Sequence, residues 1–200
     1  MNKIIPCIIA ALSAILTVTA GEGPQPLMIG TQIPDLTLKT AAGESLNLPA
    51  AAKEQPLVLI FYRGGWCPYC NTHLGQLQEL DPQLRELGYR IVAVSPDRQE
   101  KMAESLDKTK MTYTLLSDSS MEAAKAFGLA FELDAETLEK LDSYNIDIEE
   151  ASGEKHHMLP VPAVFLVGTD GVIDFVYANP DYKVRIDPEV LLAEAKANQK

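Results

Sequence analysis

Two cysteines three positions apart, Cys67 and Cys70, stand in the stretch Trp66-Cys67-Pro68-Tyr69-Cys70. Sulfurs spaced in this way on one helical turn can close a small disulfide with little backbone movement. Their surroundings suit that chemistry. Leu57 to Tyr62 is an apolar run of branched and aromatic residues, the composition of a buried strand. Arg63-Gly64-Gly65 breaks the run, and Leu74, Leu77, Leu80, Leu84 and Leu87 then recur at helical spacing. The cysteines therefore fall where a strand hands over to a helix. The first turn of a helix presents unpaired amides and a partial positive charge. A thiolate held there has a lowered pKa and becomes a nucleophile at neutral pH. The spacing points to thiol redox chemistry and leaves open which sulfur attacks first.

Several neighbours are candidates for tuning that thiolate. Trp66 adjoins the pair and either shields it or contacts a partner. Arg63 can lower a thiolate pKa, and Tyr62 at the strand end can hydrogen-bond near it. His73 follows Cys70 by one turn, within range for proton transfer. His156-His157 has poor spacing to serve as ligands with a single C-x-x-C, and no second C-x-x-C is present, so no metal is expected. Met102 and Met121 read as helix packing.

The elements that must hold these residues follow from the rest of the chain. Of its 200 residues 46% are hydrophobic, enough for one domain with a proper core. The 28 acidic residues outnumber the 17 basic ones and give a formal charge of −11. Such a surface disfavours phosphate backbones and anionic membranes, so nucleic acid is excluded as a partner class. Residues 1–20 read as a secretory signal: Lys3, an apolar stretch from Ile4 to Val18, then Val18-Thr19-Ala20 before Gly21. That reading makes the protein exported, to the periplasm, with no membrane attachment after cleavage. It also removes Cys7. An exported chain left with one close cysteine pair carries no disulfide framework, so the pair is functional rather than structural.

Residues 21–29 form a Gly/Pro-rich flexible leader, and 30–198 the domain. Residues 33–38 and 45–48 read as short strands, 57–62 and 90–95 as buried strands, and 113–116 as a third. Helices are expected after Cys67, with a bend at Asp81-Pro82 and an end at Gly88. Others start at Pro96-Asp97, after Ser117-Asp118-Ser119, and at Asp187-Pro188. The alternation implies βαβ units. Residues 129–158 fit it badly and read as an insertion that forms a rim or an interface. Val161 to Val167 and Val172 to Tyr177 are strands joined at Thr169-Asp170-Gly171.

Taken together, the strand with WCPYC, Val-Pro before a late strand, the TDG hairpin and the final helix resemble a thioredoxin fold. The fold class expected is α/β, a three-layer sandwich with a mixed central sheet flanked by helices. Over roughly residues 30–195 the chain is similar to the alkyl hydroperoxide reductase/thiol-specific antioxidant family, the peroxiredoxin-like proteins. FYRGGWCPYC resembles that family's Phe-Tyr-Pro followed by Thr-x-x-Cys. The resemblance puts Cys70 at the peroxide-attacking position, Cys67 where the family has threonine, and Arg63 where it has proline. The family's arginine before the strand after the insertion is replaced by Val161-Pro162. That dipeptide is similar to the cis-proline site of thioredoxins. Arg63 and Arg185 are the candidates for the missing charge.

Two mechanisms stay open. As a peroxidase, Cys70 is oxidised by a hydroperoxide to a sulfenic acid and Cys67 condenses with it. A thioredoxin-like reductant then restores the pair. As a thiol–disulfide oxidoreductase acting on exported proteins, Cys67 is the exposed nucleophile, Cys70 resolves, and Pro162 holds the partner backbone. Neither reading needs a cofactor, and the oligomeric state is open.

Overall fold

The computed structural model describes residues 23–109 and 111–199. The signal expected at 1–20 lies outside the described residues. Seven strands form one sheet. They are β1 (Thr37–Thr40), β2 (Ser45–Asn47), β3 (Leu57–Phe61), β4 (Arg90–Ser95), β5 (Thr114–Ser117), β8 (Ala163–Val167) and β9 (Ile173–Ala178). Two further short strands, β6 (Ala130–Glu132) and β7 (Met158–Pro160), pair with each other outside it. The sheet order is β2-β1-β5-β4-β3-β8-β9. β3, β4 and β5 run parallel, and β1, β8 and β9 pair antiparallel, giving the mixed sheet expected.

β3 lies in the middle and is buried along its whole length. Its alternation sorts side chains to two faces. Val58, Ile60 and Tyr62 pack with α2 (Pro68–Glu86), α7 (Pro188–Ala197) and Met102 of α3 (Gln99–Thr109). Leu57, Leu59 and Phe61 pack on the other face with α1 (Leu48–Glu54) and α4 (Glu122–Ala126). On that second face Phe61, Phe127 and Phe165 meet with ring centroids 4.9–6.0 Å apart. The result is helix, sheet, helix, with the longest described helix laid over β3, which lies between β4 and β8.

α2 runs unbroken through Pro82 to Glu86, where a bend was expected. Leu74, Leu77, Leu80 and Leu84 form its buried stripe. Leu84 is fully buried against the sheet. Leu84→Ala is expected to lower stability by about 3 kcal/mol, read as a shifted urea midpoint of the reduced protein. Gly88 ends the helix turn with a φ of +88°, a conformation glycine adopts without strain.

Some boundaries differ from the sequence reading. The first strand begins at Thr37 rather than Ile33; Ile33 N–H donates to Gly171 O, and Leu48 N–H to Leu36 O. α3 starts at Gln99 rather than Pro96, because Asp97 is turned inward. In α4 the carboxylate of Asp118 accepts both Ala123 and Ala124 N–H groups at 2.8–2.9 Å, which sets the start one turn later than Ser119. The insertion contains α5 (Ala135–Ser143) and a short α6 (Ile148–Ser152). Lys101 Nζ and Glu150 Oε1 at 2.7 Å tie α6 to α3. Leu27 N–H donates to Phe127 O and Gly30 N–H to Ile173 O, so the end of the leader and the first domain residue lie along the domain. No described helix is long and apolar enough to cross a membrane.

Candidate active site

The turn between β3 and α2 carries the cysteines. Tyr62 N–H still bonds Val94 O at 3.0 Å, so the chain leaves the sheet only at Arg63. Gly64 takes a φ of +143° and Gly65 N–H donates to Asp97 Oδ2 at 2.7 Å. Cys67 N–H donates to Gly64 O, which closes the turn. Cys67 is the N-cap of α2 and Pro68 its first residue, where a missing amide costs nothing. Asn71 Nδ2 donates back to Gly65 O at 2.8 Å and braces the turn from inside the helix.

Both cysteines are free thiols, each 1% exposed. They are directly coupled. Cys70 donates its thiol and its backbone N–H to the Cys67 sulfur, which brings Cys67 down to about 6 despite burial; Arg63 and Arg185 add to the lowering. Burial pushes the Cys70 thiol up, followed by its bond to Cys67. Against that, Arg185 lowers it, and Arg63 N–H lowers it by hydrogen bonding. Arg185 Nη2 lies 3.3 Å from Cys70 Sγ. The first negative charge of the pair therefore forms most readily on Cys67, with Cys70 protonated.

Of the two candidates for the missing positive charge, Arg185 reaches the sulfur. Arg63 is buried and stacked instead, its guanidinium 4.1 Å from the Tyr182 ring centroid and 5.1 Å from that of Trp66. Its contribution is the backbone N–H on Cys70 and a longer-range field on Cys67. Tyr69, 44% exposed, meets Tyr182 edge-on at 5.6 Å. Tyr62 bonds Ser95 rather than a thiolate, and burial keeps its hydroxyl protonated. His73 is buried behind Cys70. Burial and Arg185 hold it down at about 4, so it is neutral at pH 7 and donates no net charge.

Pro162 corrects one sequence expectation. The described residues contain no cis peptide bond. Pro162 is buried and lines a cavity of about 10 Å³ with Tyr62, His73 and Arg185, roughly the size of one water. It shares this cavity with Arg185, whose Nη2 lies 3.3 Å from Cys70 Sγ. On the opposite side, Trp66 and Gly65 border a cleft of about 240 Å³ whose far wall is the insertion, through Asn145, Ile146, Asp147 and Glu150. His156 and His157 lie in that insertion and bond Ser119 O and the Glu149 carboxylate. Among the described residues no three acidic, histidine or cysteine side chains gather to hold a metal.

Sequence reasoning missed Tyr182 and Asp97. Val184-Arg185-Ile186 carries no periodic signal, and Ser95-Pro96-Asp97 reads naturally as a helix start. One clue was available for Asp97: it sits just past the carboxyl end of a parallel strand, where open α/β sheets place their sites.

Comparison with known proteins bears on the family and the fold. Residues 29–176 match the AhpC/TSA family. A putative peroxiredoxin bcp of Haemophilus influenzae is 30% identical over 104 residues, 52% of this chain and 66% of that protein. Peroxiredoxin Bcp of Bacillus subtilis is 35% identical over 99 residues, 50% of this chain and 62% of the relative. The matched stretch thus spans less than two thirds of these relatives' own length. In three dimensions the chain is similar to Xanthomonas campestris peroxiredoxin Q (TM-score 0.67, 22% identity, 86% of this chain and 99% of that one). It is also similar to peroxidoxin BcpB of Mycobacterium tuberculosis (TM-score 0.67, 20% identity, 86% and 98%). Those two likenesses speak for the thioredoxin-type fold. With the family match covering most of the domain, the chain belongs to the AhpC/TSA family.

Proposed function

We propose that the protein is a thiol-dependent peroxidase that reduces hydroperoxides through a Cys67–Cys70 dithiol/disulfide cycle. One observation carries this reading: the Arg185 guanidinium sits 3.3 Å from the sulfur at the family's attacking position. Its Nε and Nη1 are buried with no hydrogen-bond partner, which leaves donors beside Cys70 for a peroxide oxygen. The relatives named peroxiredoxin support the same reading.

The steps balance as follows. The Cys70 proton moves to Cys67, leaving the charge on Cys70 beside Arg185. The Cys70 thiolate attacks the distal peroxide oxygen, and the O–O bond breaks. Cys70 becomes a sulfenic acid, and the leaving alkoxide takes a proton to form an alcohol. Cys67 then attacks the Cys70 sulfur, the S–O bond breaks, and water leaves with the Cys67 proton. Two electrons from the dithiol have reduced one hydroperoxide. A thioredoxin-like dithiol reduces the resulting bridge by exchange.

Exchange with exported protein disulfides is the weaker reading. It needs an exposed Cys67 and a proline edge for the partner chain. Cys67 is 1% exposed and Pro162 is buried with a trans peptide bond. A small oxidant fits this access better. Trapping tests the proposal. Hydrogen peroxide followed by a sulfenate-reactive dione is expected to label Cys70 in Cys67→Ser and nothing in Cys70→Ser, read by peptide mass spectrometry. A label on Cys67 alone would sink it. Export belongs to the same reading; it is supported by Lys3 and the apolar stretch that follows, and N-terminal sequencing of the secreted form is expected to begin at Gly21.

A further inference from the structure

Asp97 has no part in the steps above, yet it is built into the same turn. It lies just past the end of β4 and is 2% exposed. Its Oδ2 accepts the Gly65 N–H. Its Oδ1 is buried without a hydrogen-bond partner. That oxygen faces Gly64: a Cβ there would stand 2.7 Å from it and closer still to the Trp66 indole nitrogen. A glycine pair is what lets the turn close over a carboxylate.

We propose that Asp97 is a positioning residue of the dithiol: it fixes the Gly64–Gly65 turn that leads into Cys67, and its carboxylate charge opposes negative charge on the Cys67 sulfur. The surrounding groups make this charge matter. Tyr62 faces it from the end of β3, Cys67 from the start of α2, Ser95 from β4 and Lys101 from α3. Glu104, Asp147 and Glu150 border the cleft beyond it. Burial raises Asp97 to about 6; the Gly65 N–H, Ser95 and Lys101 work against that, and the Cys67 charge adds to it. Asp97 and Cys67 therefore ionise over the same pH range and oppose one another. Coupling of this kind is reciprocal: each charge that appears holds back the other. As pH rises through that range, ionised Asp97 delays formation of the Cys67 thiolate.

The inference rests on Cys67 and Cys70 being a working redox pair, and it is tested without peroxide. In the Cys70→Ser background, which keeps a hydroxyl donor beside Cys67, alkylation by iodoacetamide is measured against pH with and without Asp97→Asn. The amide oxygen can still accept the Gly65 N–H, so a purely structural tie leaves the profile in place. The expected result is a midpoint lowered by about half a unit or more. Superimposable profiles overturn the proposal. Should Asp97→Asn fail to fold, carboxyl carbon NMR of the wild-type protein decides. The Asp97 midpoint is expected to be lower in the disulfide form, where the thiolate is gone, and an unchanged midpoint overturns the proposal. A shift found in a protein that does not reduce peroxides would remove the peroxidase reading and leave this one standing.

Discussion

Cys70→Ser is expected to lower the second-order rate constant for hydrogen peroxide at least about a thousandfold, since the nucleophile that opens the O–O bond is gone. Cys67→Ser is expected to behave differently. Its serine hydroxyl can still bond Cys70, so the first peroxide is consumed in a single stoichiometric burst. Turnover then stops, because no sulfur one helical turn away can form the disulfide. Stopped-flow fluorescence of Trp66, the chain's one tryptophan, reads the burst directly. Equal loss in both variants would mean that Cys67 does more than resolve. Loss in Cys67→Ser alone would reverse the assignment and revive disulfide exchange as the function.

Arg185→Met comes next in size. The methionine fills space comparable to the arginine stem but brings neither charge nor donor to Cys70. Removing one preorganised donor from a developing charge typically costs 10²–10³ in rate, and a loss of about that size is expected here. Two effects contribute with the same sign. Arg185 lowers the proton affinity of Cys70, and its unpartnered N–H groups are free to meet the peroxide. Rate against pH separates them: loss of the thiolate effect moves the profile upward in pH, whereas loss of the donor lowers the plateau. Arg185→Lys keeps a charge but not the fork of donors, and is expected to recover the pH midpoint better than the plateau. A rate unchanged in Arg185→Met would leave Arg63 as the relevant cation.

The sequence made the frame of the site legible because that frame is local. β3 and β4 are continuous apolar runs, α2 carries leucines at helical spacing, and Arg63-Gly64-Gly65 marks the break between strand and helix. The C-x-x-C at that break pointed to the thiol redox chemistry proposed above. What surrounds the sulfurs was less legible, since it arrives from far along the chain. Arg185 is 115 residues from Cys70, and no pattern in Val184-Arg185-Ile186 distinguishes a site arginine from a solvated one. Tyr182 reaches Arg63 by the same long return. Asp97 was hidden by a local look-alike, a Ser-Pro-Asp that resembles a helix cap while its carboxylate turns toward Gly65. Val-Pro before a strand is a short likeness, and it was not enough to specify a cis bond at Pro162. The insertion was recognised as a departure from strand–helix alternation, but α6 was too short to show a period.

The thiol contact between Cys67 and Cys70 has a consequence for survival under oxidative load. A sulfenic acid is destroyed irreversibly when a second oxidant molecule arrives before the resolving sulfur does. In this protein the second sulfur belongs to the N-cap of the helix whose first turn carries Cys70. On the peroxidase reading, bridge formation therefore outruns that second encounter. On that same reading, the chain is suited to working through bursts of concentrated peroxide without inactivating itself.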